Sequence, residues 1–217
     1  MISEVTQANV VIVARQFNPS VFSQSWLIKN EILLEEDFPP RWVYSPLLVD
    51  VPSKAFHLSV LPEQLQFAPV SPSEASQDLL LAKVGKIVET LPHTPFVAAG
   101  LNFVWQVVHE TGSVAAMTRG AFFNGNVPLF RHFDAEDARF GAYMSKDVLG
   151  CRLRLDVKPV TIARKGESQS CLQFSFNFHR QISEEDMVGS ILDLLGRWSE
   201  AWKLAKTMLD SFDERER

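Results

Sequence analysis

The chain has 217 residues, 46% hydrophobic and 22% charged, a usage typical of globular domains and long enough to enclose a sizeable core. A formal net charge of −5 offers no general attraction to nucleic acid or anionic lipid, so neither nucleic acid nor a membrane is expected as a partner. No run approaches the roughly 18 consecutive apolar residues of a membrane span, and the opening MISEVTQANVVIVARQ lacks a charged stretch followed by a long apolar one, so a cytoplasmic location is expected.

The first strand is read at NVVIVARQF, Asn9 to Phe17, on its β-branched density. Asn18-Pro19-Ser20 is a turn, and Ser23 to Leu34 fits a short helix or a second strand equally well. Pro39-Pro40 breaks regular structure. WVYSPLLVDV, AFHLSVL and LQFAPV then read as short strands parted by Pro46, Pro52 and Pro62, which implies an antiparallel meander. In SPSEASQDLLLAKVGKIVETLP, Ser71 offers a cap, Pro72 a first helical residue and Glu74 a capping box. Leu80, Val84, Ile87 and Leu91 recur at helical spacing up to Pro92.

Thr94 to Glu110 reads as a long strand, with Leu101, Phe103, Trp105 and Val107 on one face. Ser113 to Phe122 suits a short helix closed by NGN. Three further strands follow, with reversals assigned to Lys146-Asp147 and to Lys165-Gly166-Glu167-Ser168. In the last of them Phe174, Phe176 and Phe178 point one way, and Ser175, Asn177 and His179 the other, the pattern of a sheet packed on one face. LNF at 101–103 and FNF at 176–178 echo each other too briefly to establish a duplication.

The closing segment carries the clearest period. Ser183 is the expected cap, with Asp186 three residues on, and Met187, Ile191, Leu194, Trp198, Ala201, Ala205, Met208 and Phe212 recur every three or four residues. A continuous helix from Glu184 to Phe212 would be about 43 Å long. Such a rod would overhang a small domain and meet a second chain through Trp198, Trp202 and Leu209, unless those side chains are core. The terminal DERER is expected to fray. The expected fold is therefore α+β. It is a single domain, 1–217, with a large antiparallel sheet and two main helices including the long C-terminal one. An arrangement in which halves 1–92 and 93–217 share one sheet is allowed.

Chemical motifs are sparse. His57, His93, His109, His132 and His179 form no compact ligand pattern, and the chain has no G-x-S-x-G, P-loop or GxGxxG. Two local sets remain. His132, Asp134 and Glu136 in RHFDAEDARFG could offer nitrogen and oxygen to a divalent metal if that segment were extended, or could form a solvated acidic loop. Ser175, Asn177 and His179 make a polar stripe, but Ser175 and His179 lie about 13 Å apart along a strand, too far for a nucleophile and its base. Arg152, Arg154, Lys158, Arg164 and Lys165 form the one local concentration of cations. Cys151 and Cys171 are too few for a disulfide framework and too isolated for zinc, and reduced thiols on strands are expected.

At FVAAGLNFVWQV and FSFNFHRQISEEDMVGSILDLLGRWSEAWK the chain resembles a bacterial protein family of unknown function, whose members carry a Gly-Leu strand and a late strand leading into a C-terminal helix. More distantly it is similar to the SecB export chaperones, which join an antiparallel sheet to long helices and assemble through both. These resemblances imply a binding or assembly protein. The leading expectation is a non-enzymatic, homo-oligomeric binding, adaptor or chaperone-like protein with an unidentified protein partner and no cofactor. The alternative is a metal-dependent hydrolase built on His132, Asp134 and Glu136.

Overall fold

The computed structural model describes residues 2–108, 113–164 and 167–213. Of the reversal read at Lys165-Gly166-Glu167-Ser168, Glu167 and Ser168 already pair with Arg164 and Ala163 as the start of a strand, while Lys165 and Gly166, like His109, Glu110 at the end of the long strand and residues 214–217 of the terminal DERER, lie outside those residues. Nine antiparallel strands form one sheet in the order β2-β3-β4-β5-β1-β6-β9-β8-β7. They are β1 Ile2–Ala14, β2 Val43–Tyr44, β3 Val49–Pro52, β4 Phe56–Leu61, β5 Gln64–Pro69, β6 Phe96–Val108, β7 Ala142–Val148, β8 Cys151–Arg164 and β9 Glu167–Gln181. The α+β architecture read from the sequence is the one observed. The long strands β1 and β6 lie side by side at the centre, and each half of the chain lays its own meander outward from them.

Register follows from burial. Phe67, Val10, Leu101, Phe178 and Leu153 stand opposite one another across five strands, and all are buried. Each such side chain removed from water contributes roughly 1.5–3 kcal/mol, and a one-residue slip would turn the whole row outward. The pairing Ile2↔Val108 also explains why β1 starts at Ile2 and not at Asn9. Polar Ser3 to Gln7 is held by its neighbour strand, not by its own propensity.

Helical side chains join this apolar face in a single core cluster. The segment 23–34, undecided by propensity, holds α1 (Gln24–Lys29), where Ser23 Oγ accepts from the Trp26 amide at 3.3 Å. The helix read at 71–91 is a composite: a 3₁₀ turn at Glu74–Ser76, α2 (Gln77–Leu80), a π turn at Leu81–Gly85 and α3 (Lys86–Thr90). Its cap is Ser73, whose amide donates to Ser76 Oγ, so Ser71 and Pro72 precede the helix. A Cβ on Gly85 would stand 3.2 Å from Leu192 Cδ2, so the π turn and the C-terminal helix pack closely at this glycine. The short helix read at 113–122 is α4, Val114–Phe122, capped by Ser113.

Two further expectations need correction. Lys146 and Asp147 lie inside β7, and the reversal is the two-residue turn Leu149-Gly150, with φ 54° and 66°. Both residues adopt the positive φ of a type I′ hairpin. Arg180 secures it by donating to the Leu149 and Gly150 carbonyls, and also to Ser190 O and to Asp193 Oδ2 at 2.7 Å.

The C-terminal helix is not one rod. It divides into α5 (Met187–Gly196) and α6 (Trp198–Asp213), with Arg197 between them. The cap of α5 is Asp186, which accepts from the Gly189 amide at 2.9 Å, in place of Ser183. The break seats Trp198 against the α2 turn: its Nε1 donates to Ser73 O at 2.8 Å, while the Ser199 amide and Oγ bond Gln77 Oε1 and Glu74 O. The sixteen residues of α6 span about 24 Å, so the overhang expected of a 43 Å helix does not arise.

Candidate functional site

Helices cover one face of the sheet, and the alternate residues of the same strands form the other. At its centre that second face carries Gln64, Gln66 and Ala68 from β5, and Asn9, Val11 and Val13 from β1. It continues with Ala98, Gly100, Asn102, Val104 and Gln106 from β6, and Gln173, Ser175, Asn177 and His179 from β9. None of these residues is Asp, Glu, Lys or Arg. Charge returns at the margins, with Glu4 near the start of β1, opposite Gln106, with Asp50 and His57 on β3 and β4 in contact at 2.6 Å, and with Arg152, Arg154, Asp156 and Lys158 on β8.

Three asparagines form a ladder across the middle of this face. Asn102 stands opposite both Asn9 and Asn177. Asn102 Nδ2 donates to Asn9 Oδ1 at 2.8 Å, and Asn177 Nδ2 donates to Asn102 Oδ1 at 2.6 Å. Asn9 is only 2% exposed, whereas Asn102 and Asn177 are half-buried. Of the stripe read from the sequence, Asn177 belongs to the ladder. Ser175 accepts from Gln173 Nε2 at 3.1 Å, and His179 lies between Gly100 and Arg152 in the cross-strand row. The face offers amides and small apolar side chains for contact, not a nucleophile beside a base.

The other sequence-derived candidates are placed elsewhere. His132 lies in the 3₁₀ turn Pro128–Phe133, and Asp134 and Glu136 follow in a bent loop. Asp134 pairs with Arg119 at 3.5 Å, and no group of three metal-binding side chains occurs among the described residues. The extended segment that a His132, Asp134 and Glu136 site requires is therefore absent from this stretch. Trp198 is wholly buried, Leu209 is 4% exposed, and Trp202 packs on Phe103 and Trp105 with ring centres 5.4 and 5.1 Å away. Trp198 and Leu209 are core side chains, which corrects their reading as a partner surface, while Trp202 packs on the chain's own sheet and stays half-exposed.

Of the cations near β8, Arg152 pairs with Asp147 and Lys158 with Asp156; Lys165 lies outside the described residues. Cys151 and Cys171 are buried and not joined in a disulfide. Cys171 stands opposite Val160, nine strand positions along β8 from Cys151, which separates them by about 30 Å. Burial raises the Cys151 thiol above its ordinary range despite the neighbouring Arg180.

On the helix-bearing face, a groove of about 410 Å³ opens between α6, α4 and the β7–β8 edge. Leu153, Leu155 and Val157 form its floor, Phe122, Phe174 and Phe212 its aromatic end, and Met144, Lys146 and Met208 complete its walls. Among the described residues no helix is long and apolar enough to cross a membrane.

Comparison with protein-family models, with characterised proteins and with solved structures gives no match. The functional argument therefore rests on the geometry. Sequence reading missed Asn9 and Asn102 as partners of Asn177, although LNF and FNF held the signal. Their likeness is cross-strand register, since Leu101, Asn102 and Phe103 stand opposite Phe178, Asn177 and Phe176.

Proposed function

We propose that this protein is a non-enzymatic binding or adaptor protein of the cytoplasm that works as a homo-oligomer, joined through the uncharged centre of its open sheet face. One observation carries the reading: in the central rows of four adjacent strands, Gln64 to Ala68 of β5, Asn9 to Val13 of β1, Ala98 to Gln106 of β6 and Gln173 to His179 of β9, that face bears no carboxylate, ammonium or guanidinium group, and Glu4 of β1, opposite Gln106, stands at its margin. Solvent-facing surface normally carries such groups, whereas the buried centres of protein interfaces are depleted in them. A centre without formal charge meets a second copy of itself without like-charge repulsion. The asparagine ladder satisfies part of its own hydrogen bonding within the face, which lowers the cost of taking those amides out of water.

The test is sedimentation of the purified chain together with the double variant Val11→Lys/Val104→Lys, which places two ammonium groups at the centre of the face. The wild type is expected to sediment as a dimer or larger, and the variant as a monomer with an unchanged circular dichroism spectrum. A wild type that is monomeric at tens of micromolar, or a variant that keeps the assembly, overturns the proposal.

A further inference from the structure

The groove on the helix-bearing face lies on the opposite side of the sheet from the proposed assembly surface, so the two can be tested separately. Its volume of about 410 Å³ falls in the range of small-molecule sites, roughly 300–1,000 Å³. Its chemistry is graded from end to end. Along β8 the floor runs from Val157 through Leu155 to Leu153, and these residues stand opposite Ala142, Met144 and Lys146 of β7. That span of four residues is about 13 Å. At the Val157 end stand the rings of Phe174 and Phe212, 5.3 Å apart, with Phe122 stacked on Phe212. At the Leu153 end stands Lys146, which is exposed and, among the described residues, is the one charged side chain lining the groove.

The face of the sheet it occupies separates that lysine from its neighbours. Of the basic residues near it on β8, Arg152 and Lys158 each have a carboxylate partner, and Arg154, opposite Ser145, belongs to the other face of the sheet. Among the described residues Lys146 has no ion pair. An apolar trough closed at one end by aromatic rings, with an unpaired ammonium at the other, is complementary to a linear molecule with an apolar tail and an anionic head. We infer that the groove between α6, α4 and β7–β8 binds a linear aliphatic carboxylate, with its chain along Leu153, Leu155 and Val157 and its carboxylate beside Lys146.

The experiment is calorimetric titration of the full chain with decanoate and with methyl decanoate, repeated on Met144→Trp and Lys146→Glu. Met144 is 47% exposed on an edge strand, so a tryptophan there fills the groove without entering the core. Decanoate is expected to bind the wild type and to lose measurable binding in Met144→Trp. Lys146→Glu should weaken decanoate roughly two- to fivefold, the scale of an exposed charge contact, and leave the methyl ester unchanged. Absence of decanoate binding to the wild type overturns the assignment, as does binding that survives Met144→Trp. Equal affinity of wild type and Lys146→Glu for decanoate overturns the carboxylate assignment and leaves an apolar groove without head-group recognition.

Discussion

Replacing the middle rung of the asparagine ladder should cost more than replacing the whole ladder. In Asn102→Val, Asn9 Oδ1 loses the amide that now donates to it at 2.8 Å. Asn9 is 2% exposed, so water does not readily replace that donor, and an orphaned buried acceptor costs roughly 1–3 kcal/mol. Asn177 Nδ2 loses its acceptor too, but Asn177 is half-exposed and regains a water at little cost. Valine recovers a few tenths of a kcal/mol as a better strand former. The net expectation is a loss of about 2 kcal/mol, equivalent to roughly 4–8 °C in Tm for a chain of this size.

In the triple variant Asn9→Val/Asn102→Val/Asn177→Val the donors and acceptors leave together, and the cost should fall to near zero. The assay is urea unfolding followed by circular dichroism for the three single variants, the pairs and the triple, read as a mutant cycle. A harmless Asn102→Val, or a triple variant whose loss equals the sum of the singles, refutes the argument that the ladder is a mutually satisfied unit.

Trp202→Glu should unfold the chain instead of dissociating an assembly, because the new carboxylate would sit against Phe103 and Trp105. The lost ring packing alone is worth about 3–5 kcal/mol, and a folded variant changed only in assembly size, by light scattering and circular dichroism, would restore Trp202 as a subunit contact. Asp193 is held below the usual carboxylate range by hydrogen bonds from Arg197 and then Arg180. A depressed carboxyl stabilises the fold above its unfolded pKa, about 3.9, and that contribution is lost as pH falls through the lower native value. The stability gap between wild type and Asp193→Asn should therefore be full at pH 7 and pH 5 and narrow below about pH 3.9. Urea titrations showing an undiminished gap in acid would contradict this.

Strand faces are legible in the sequence, though not every strand boundary, because period-two burial is written locally: Phe174, Phe176 and Phe178 must turn inward together and send Ser175, Asn177 and His179 outward. The sequence also determined that a meander and a helix would follow β1 and that an amphipathic helical segment would close the chain. Three features lay beyond it, each depending on residues far apart in the chain. The break at Arg197 is invisible in the apolar period of 187–212, because it serves bonds from Trp198 and Ser199 to Ser73, Glu74 and Gln77. The hairpin turn fell at Leu149-Gly150 and not at Lys146-Asp147, since pairing with β8 and the clamp of Arg180 outweigh the turn preference of a Lys-Asp pair. The asparagine ladder and the Lys146 groove exist only because the sheet order places β6 between β1 and β9, and β7 beside β8. Local pattern decides which way a side chain points. Strand order and helix packing decide what it meets there, and on this protein both candidate surfaces are made by that second step.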